Sequence, residues 1–360
     1  MLPSILTAFL LAVCSGPVQA TSTPRAPNGT CTNKLQRKAW HTLSPEEKRA
    51  YIEADLCLMK LPATLGLNGT KNRFEELQAI HQVQSSIIHG VGGFLPYHRL
   101  HMYAHEQLIR NECGYTGAQP YWDEPRDAGR FSQSDVLDPV TGFGGNGVGP
   151  DGCIADGPFA NYSNGLGPGY KIGDNCINRF VNDTVSRMAA REYVDACYEK
   201  TTFVEFWPCA EVAPHNGGHA GVGGKMLDPI ASPGDPIFYL HHTWLDKVFW
   251  EWQALDLPGR LTDIGGRNVQ QPFGFGGQPP FGGGGGNGTD QPPVVFPPFG
   301  QLPPDAFVIP DWLPPQIPEG DGGGNETTLG HVLNMLGVIE SATIADVMDI
   351  GGPLLCYEYV

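Results

Sequence analysis

The sequence predicts a mainly α-helical fold with long Gly- and Pro-rich loops and disulfides. Three observations favour this class. Apolar residues recur at helical spacing in several stretches, Gly and Pro are concentrated in a few segments, and the cysteine number becomes even once an N-terminal leader is removed. The 360 residues suffice for one large domain or two modest ones. We expect one domain over residues 21–360.

Residues 1–20 have the features of a secretory signal peptide. Residues 2–13 are an apolar run too short to span a bilayer, and small residues near Ala20 offer a cleavage site. No later stretch approaches the roughly 18 apolar residues of a membrane helix. The formal charge of -16 disfavours nucleic acid and anionic membranes as partners. We therefore expect a secreted protein, or one of the secretory pathway, with a small-molecule site.

Cysteine and asparagine patterns agree with that location. Eight cysteines remain after the leader is removed, which predicts disulfides in an oxidising compartment, although their spacing does not give the pairing. The absence of a C-x-x-C pair argues against a thiolate zinc site. Six glycosylation sequons fit surface loops of a secreted glycoprotein. They begin at Asn28, Asn68, Asn161, Asn182, Asn287 and Asn325.

The helices are predicted from caps and periodicity. A capping box from Ser44 to Glu47, with proline at the first helical position, marks one helix start. A glycine-rich run at residues 90–93 marks the end of a later helix. Helical spacing predicts helices over residues 45–58, 72–89, 96–111, 181–198, 215–221, 235–255 and 329–336.

Two segments have loop composition. Residues 128–178 are rich in Gly, Asp and Asn, and we expect a long loop region held by Cys153 and Cys176 rather than by a sheet of its own. Residues 257–324 are rich in Gly, Pro and Phe, which predicts a mobile insert within the domain. The pattern of residues 354–359 predicts a terminal strand.

The eleven histidines fall into two main clusters. His215 and His219 are four residues apart in a helical context, so both rings can face one metal ion, and His242 follows a helix start from which it can supply a third ligand. The earlier cluster contains more histidines than one metal needs, and helical spacing alone could recruit His105. Its members are His81, His89, His98, His101 and His105. The isolated His331 and His41 are expected at the surface or at caps.

An all-imidazole site restricts the choice of metal. Neutral imidazole suits copper, zinc, iron or nickel, whereas magnesium and calcium prefer oxygen ligands. Three histidines per metal leave coordination positions open for dioxygen, water or substrate.

Two sequence motifs resemble those of the tyrosinase, catechol oxidase and hemocyanin family. Residues 94–106, beginning FLPYHR, are similar to its CuA motif, and residues 215–246, with HNGGH and DPIFYLHH, are similar to its CuB motif. The resemblance covers nearly the whole mature chain and is greatest to short fungal members. It implies a four-helix core with two coppers between the helices, and it selects His242 over His241. The implied ligands are His81, His89 and His98 for CuA, and His215, His219 and His242 for CuB.

The resemblance also implies roles for residues around the metals. It implies an aromatic wall at Phe238, a supporting carboxylate at Asp246, a gate at Pro229 and a contact between Arg37 and the closing tyrosines.

Two positions depart from the family pattern. Tyr97 stands where the family usually has tryptophan, and Ile87 stands where many fungal members have a cysteine crosslinked to the second CuA histidine. No such crosslink can form here. The match ends at the closing tyrosine motif, so we expect no C-terminal shielding domain.

The resemblance implies an enzyme that oxidises o-diphenols to o-quinones with O₂ and two copper ions. The unusual Tyr97 and Pro229 and the missing crosslink cysteine favour a specialised role in fungal secondary metabolism. Hydroxylation of monophenols would also need a base near CuB, for which Asn216 with either Glu205 or Glu211 is a candidate. A different class of function remains open: the same histidines could bind zinc and catalyse a non-oxidative lyase or hydrolase reaction, as in fungal cyclopenases. Oxygen carriage is a third, weaker alternative.

Overall fold

The computed structural model describes residues 31–270, 304–321 and 324–360. Its architecture is mainly helical, as the sequence predicts. Within the described residues the α-helices are α1 (Pro45–Leu58), α2 (Arg73–Ile88), α3 (Phe94–Cys113), α4 (Glu124–Asp127), α5 (Asp183–Ser186), α6 (Arg191–Tyr198), α7 (Phe203–Ala210), α8 (Asn216–Val222), α9 (Ile237–Ala254) and α10 (Ile344–Val347).

The ends of the first helices follow from local hydrogen bonds. At the start of α1, the Ser44 hydroxyl accepts the Glu47 N–H and the Glu47 carboxylate accepts the Ser44 N–H, which is the predicted capping box. The Asn72 side chain caps α2 by accepting a backbone N–H 2.9 Å away. Helix α3 starts two residues before its predicted start and ends at Gly114, whose φ of 69° is left-handed.

Three helix predictions need correction, and two of them concern helices before residue 222. The predicted helix over 181–198 is broken at Ala190, which is extended, because the preceding turn packs against Gly217, where an added Cβ would lie 2.5 Å from the Ala189 nitrogen. The helix predicted to start at His215 starts at Phe203 instead, because α7 continues through a π-helix, Glu211–His215, into α8.

The third wrong helix prediction is residues 329–336, which form a strand and a turn. Val332–Leu333 pairs with Ala342–Thr343, and Leu336 has a left-handed φ of 46°. A short apolar run fits a helix and a strand about equally well. Here pairing with a second segment decides in favour of the strand.

Short strands form four two-stranded sheets in the described residues. The strands are β1 (Leu35–Arg37), β2 (Gly147–Val148), β3 (Cys153–Ile154), β4 (Ser163–Leu166), β5 (Ile172–Cys176), β6 (Val332–Leu333), β7 (Ala342–Thr343) and β8 (Tyr357–Tyr359). Strand β8 confirms the predicted terminal strand and pairs in parallel with β1. The expectation that residues 128–178 lack a sheet was wrong, because β2–β3 and β4–β5 lie there.

All eight cysteines from Cys31 onward form disulfides, as predicted. The pairs are Cys31–Cys356, Cys57–Cys113, Cys153–Cys176 and Cys197–Cys209. The second pair joins α1 to the end of α3, and the fourth joins α6 to α7, just before the π-helix. No helix of the described ranges combines the length and the apolar character that crossing a bilayer requires.

The Gly- and Pro-rich segment is described only at its ends. Residues 271–303, which include the glycine run at 282–286, lie outside the described residues, as do the predicted signal peptide at residues 1–20 and the sequons at Asn28 and Asn287. The described ends are partly buried: Asn268 is buried on one side, and Ala306 and Asp321 are buried on the other, with the Ala306 carbonyl accepting the Tyr170 N–H. The remaining four sequon asparagines are exposed.

Candidate metal centre

Two clusters of buried histidines lie in the middle of the helical core. In each, the candidate ligand atoms lie within 4.8 Å of one another. The first cluster is His81, His89 and His98; the second cluster is His215, His219, His241 and His242. The structure therefore brings together the six histidines that the sequence singles out and adds His241 to the second cluster.

Backbone carbonyls orient every ring of the first cluster. The Nδ1 atom of His81 donates to the Ile230 carbonyl at 2.9 Å, and that of His98 donates to the Phe94 carbonyl at 2.8 Å. His89, the residue that ends α2, donates from Nδ1 to the Ser85 carbonyl at 3.1 Å. An imidazole that donates from Nδ1 keeps a lone pair on Nε2 for a metal.

The second cluster is built on the π-helix, α8 and α9. His215 donates from Nδ1 to the Glu211 carbonyl at 3.2 Å, and His219 donates from Nδ1 to the Met226 carbonyl. The Nε2 atoms of His219 and His242 lie 3.1 Å apart. A π-turn changes the direction of the side chains that follow it, and such turns are frequent at functional sites.

The two clusters face each other across aromatic rings. The rings of His98 and His242 are stacked, with centroids 4.2 Å apart. The Phe94 ring centroid lies 4.8 Å from the centroids of both the His98 and the His215 rings. The sequence did not predict this role for Phe94. Phe238, the implied aromatic wall, lies 4.2 Å from His242. Together these contacts make one apolar, enclosed site.

Burial sets the charge of the imidazoles. It lowers the pKa of His89 to about 4, because the charged ring would lose its hydration. In the other predicted ligands, burial and neighbouring histidines lower the pKa well below its ordinary value. The Nε2 atoms of His81, His98 and His215 are buried without a hydrogen-bond partner. Neutral rings with unpartnered nitrogens fit a pair of copper or zinc ions.

Two other histidines of α3 lie outside the clusters. The nitrogens of His105 lie 2.8 Å from Gln119 Oε1 and 2.7 Å from Asp55 Oδ1. His101 donates from Nε2 to the Leu77 carbonyl at 3.1 Å. Both are buried, and neither joins a group of candidate ligands.

His241 has a partner that the sequence did not reveal. Its Nδ1 lies 2.6 Å from Glu124 Oε1, and its Nε2 is buried without a partner. Burial raises the pKa of Glu124 well above its ordinary value, and it lowers that of His241 to about 3. Gly218 leaves room for this pair, since an added Cβ would lie 2.3 Å from His241 Nδ1.

The two candidate glutamates have different positions. Glu205 is exposed and its carboxylate accepts from Thr202 at 2.9 Å, so it lies on the protein surface. Glu211 is buried, and its Oε1 accepts the Gly90 N–H at 2.8 Å while Oε2 has no partner. Asn216 is half-buried at the start of α8 and donates to the Val212 carbonyl.

Residues 226–230 contact both clusters. The Met226 carbonyl holds His219 and the Ile230 carbonyl holds His81. The half-buried Pro229, the implied gate, lies between these carbonyls and accepts the Ser85 hydroxyl at 3.1 Å. This loop therefore accepts a hydrogen bond from one histidine of each cluster.

The two departures from the family pattern lie on the helices of the first cluster. The Tyr97 hydroxyl lies 3.3 Å from the Ile80 carbonyl and 3.3 Å from Gln84 Nε2. Ile87 is half-buried near the end of α2, two residues before His89.

Asp246 contacts arginines and tyrosines rather than a histidine. Its carboxylate accepts from Arg37, Arg99, Tyr357 and Tyr359. The implied contact between Arg37 and the closing tyrosines is present, with the guanidinium 3.5 Å from the Tyr357 ring centroid. The network joins α3 beyond His98 to α9 beyond His242, so it can influence the rings only through the helices.

The expectation of a surface or capping role for His331 was wrong. Its side chain is buried, and its Nδ1 contacts the Asp321 carboxylate. Asp321 also accepts from Asn268 at 2.9 Å and from the Thr328 N–H at 2.9 Å. This cluster attaches both described ends of the Gly- and Pro-rich segment to the core.

Comparisons with known proteins agree with the motifs. A model described as the common central domain of tyrosinase matches residues 71–255, which include both clusters. The tyrosinase-like protein phomQ1' of Diaporthe leptostromiformis is 32% identical over 287 residues, covering 73% of this chain and 75% of that protein. The tyrosinase ustQ of Aspergillus flavus is 32% identical over 285 residues, covering 75% and 76%.

A solved structure has the same fold. A polyphenol oxidase variant from Thermothelomyces thermophila is similar with a TM-score of 0.70 and 27% identity, and the match covers 91% of this chain and 89% of that one. The family domain, the fungal relatives and the shared fold place this chain in the tyrosinase family.

Proposed function

We propose that the six predicted histidines hold two copper ions and that the protein oxidises o-diphenols to o-quinones with O₂. The observation that carries this proposal is the pair of facing, buried, neutral imidazole clusters, in which four Nε2 atoms have no hydrogen-bond partner, three of them on predicted ligands. Copper is favoured over zinc by intrinsic affinity at a site of equal geometry.

When bound, the copper pair would supply two-electron redox chemistry between the diphenol and O₂. Two o-diphenols and one O₂ would give two o-quinones and two waters. The protein's part is to hold the rings through their Nδ1 hydrogen bonds and to exclude water with Phe94 and Phe238. Three histidines per metal leave positions open for the phenol oxygen and O₂.

Monophenol hydroxylation would need a proton acceptor beside the site, and Glu211 is our candidate. Its buried carboxyl accepts the N–H of Gly90, the residue after His89, and its backbone carbonyl accepts from His215. Burial raises its pKa to about 8. Its unpartnered Oε2 could hold a water together with Asn216. Glu205 is excluded because it is exposed on the surface.

The cellular setting is part of the same proposal. We propose that residues 1–20 are a cleaved signal peptide, that residues 21–360 form one catalytic domain, and that the secreted glycoprotein acts in fungal secondary metabolism. The disulfides, the exposed sequons and the fungal relatives support it.

A zinc-dependent, non-oxidative lyase or hydrolase is the second candidate. The observation in its favour is the first cluster, which offers three nitrogen donors, since catalytic zinc sites hold the ion with three protein ligands and leave one position open for water or substrate. Imidazole binds both metals, so the donor set alone does not separate the candidates.

Metal analysis with oxygen uptake tests the proposal. Protein purified from its native host should hold about two coppers per chain, and an o-diphenol should cause O₂ uptake at half the rate of quinone formation. Zinc at the same stoichiometry, with no O₂ uptake even after copper loading, would favour the non-oxidative enzyme.

A further inference from the structure

His89 is the predicted ligand with the weakest local support. The other five lie within helical segments, whereas His89 follows the last residue of α2 with an extended backbone, φ -123° and ψ 144°. Gly90 comes next with a left-handed φ of 64°, and two more glycines follow within three residues. Helical hydrogen bonds therefore do not hold the His89 backbone, and other residues must fix its position.

Two side chains hold the Gly90 residue from opposite directions. The Glu211 carboxylate accepts the Gly90 N–H at 2.8 Å. The Arg267 Nε donates to the Gly90 carbonyl at 2.7 Å. Because Gly90 directly follows His89, these bonds fix the backbone on which the His89 ring is carried.

The segment that carries Arg267 is itself held in place. The Gly92 N–H donates to the Arg267 carbonyl at 2.8 Å, and the Thr327 N–H donates to the Gly266 carbonyl at 2.7 Å. An added Cβ on Gly92 would lie 2.0 Å from the Gly265 carbonyl oxygen, so only glycine permits this approach. The Arg267 guanidinium also lies 5.9 Å from the Trp207 ring centroid.

We infer that Arg267 is a positioning residue for His89, acting through the Gly90 carbonyl, and that it controls how firmly the first cluster holds its metal. The inference rests on the proposed function, in which His89 is a metal ligand. Arg267 belongs to the described end of the Gly- and Pro-rich segment, so it couples that segment to the metal centre.

The test measures metal release, not activity alone. Arg267→Met removes the donor while keeping most of the side-chain length. The metal-loaded variant and wild type would be exposed to EDTA, and metal per chain would be followed with time. We expect one of the two metals to leave about tenfold faster in the variant, the lower end for loss of a residue that supports a ligand. The second metal should leave at the wild-type rate.

Matched variants separate positioning from folding. Arg260 is a matched arginine away from His89. Its guanidinium lies over the Trp252 ring and donates to the Trp252 carbonyl at 2.7 Å, near the end of α9. Arg260→Met should lower the melting temperature of the metal-free protein and leave metal release unchanged. Arg267→Lys, which keeps a donor, should restore part of the metal retention.

Placing Arg267→Met in a His242→Ala background identifies the metal concerned. On our proposal that background retains the metal of the first cluster, whose release should still be accelerated. Equal release from Arg267→Met and wild type, or equal acceleration of both metals, would overturn the inference and leave the proposed function intact. A wild-type chain that binds no metal at this site would reject both.

Discussion

The two histidine clusters differ in how their rings are held. In the first cluster every Nδ1 donates to a backbone carbonyl. In the second cluster this holds for His215 and His219, while the Nδ1 of His242 is buried without a partner. The neighbouring His241 has a carboxylate partner instead, Glu124. The first cluster thus has one defined set of donors, whereas the second offers two candidates for its third ligand.

This difference does not make the clusters independent. Residues 226–230 supply a carbonyl to His219 in one cluster and to His81 in the other. Phe94 contacts a histidine of each cluster as well. A change in either cluster can therefore alter the position of the other, and on the proposed function it would alter the separation of the two metals.

The largest expected effect comes from removing one ligand of each cluster. His98→Ala and His242→Ala should each lose one metal per chain and reduce oxidase activity below detection, because two-electron transfer needs both metals. Metal analysis of the folded variants checks this. His105→Gln is the control and should keep both metals, since His105 bonds to Gln119 and Asp55 instead. Full metal content in His98→Ala or His242→Ala would contradict the ligand assignment.

The next effect concerns the hydrogen-bond network around Asp246, which joins α3 to α9. Asp246→Asn leaves the guanidinium groups of Arg37 and Arg99 buried without their shared carboxylate. Removing one partner of a buried ion pair typically lowers the free energy of unfolding by about 3–5 kcal/mol. Urea unfolding of the metal-free protein measures the change.

A surface ion pair provides the control for that measurement. Asp195 pairs with Arg191 in solvent, and both side chains are largely exposed. Asp195→Asn should change the free energy of unfolding by less than about 0.5 kcal/mol. Equal effects of the two substitutions would show that the Asp246 network contributes no more than a surface pair.

A smaller effect concerns Lys225, which directly precedes the loop of residues 226–230. Burial lowers the pKa of Lys225 to about 8, an effect opposed by Asp228, Asp235 and Glu75, and the amine donates to Asn175 Oδ1 at 2.5 Å. Between that pKa and the ordinary value of 10.5, the unfolded chain binds more protons, so stability should rise with pH.

Lys225→Met should remove this dependence. The difference in free energy of unfolding between wild type and variant should shift by about 2 kcal/mol in favour of wild type between about pH 7 and pH 9.5. Substituting the exposed Lys60 by methionine should produce no such shift. A constant difference for Lys225→Met would contradict the lowered pKa.

Much of the fold was predictable because its signals are local. The capping box at Ser44 and the apolar spacing gave α1 its observed bounds. Helix α9 was predicted within two residues at its start, since its periodicity is long and regular. The predictions failed at residues 181–198 and 329–336, where contacts from distant segments decide the backbone.

The site was predictable in its donors but not in their supports. The resemblance of two motifs to those of the family selected the six histidines, whereas spacing alone left His105 and His241 open as ligands. The carbonyls of Met226 and Ile230 carry no residue signature, since any residue supplies a carbonyl. Glu124 lies far from His241 in sequence, and the choice between Glu205 and Glu211 needed the burial of each side chain.

The choice between the adjacent His241 and His242 gives the smallest expected effect. On our proposal His241 supports the cluster without binding metal, so His241→Gln should keep both metals and lower kcat by about tenfold, the lower end for loss of a supporting group. His242→Gln is the matched control and should lose one metal. One observation favours His241 as the ligand instead: its Nδ1 has the carboxylate partner typical of a metal-bound histidine, and the Nδ1 of His242 has none. Loss of one metal from His241→Gln, with retention in His242→Gln, would make His241 the third ligand and favour a site whose geometry differs from the family motif.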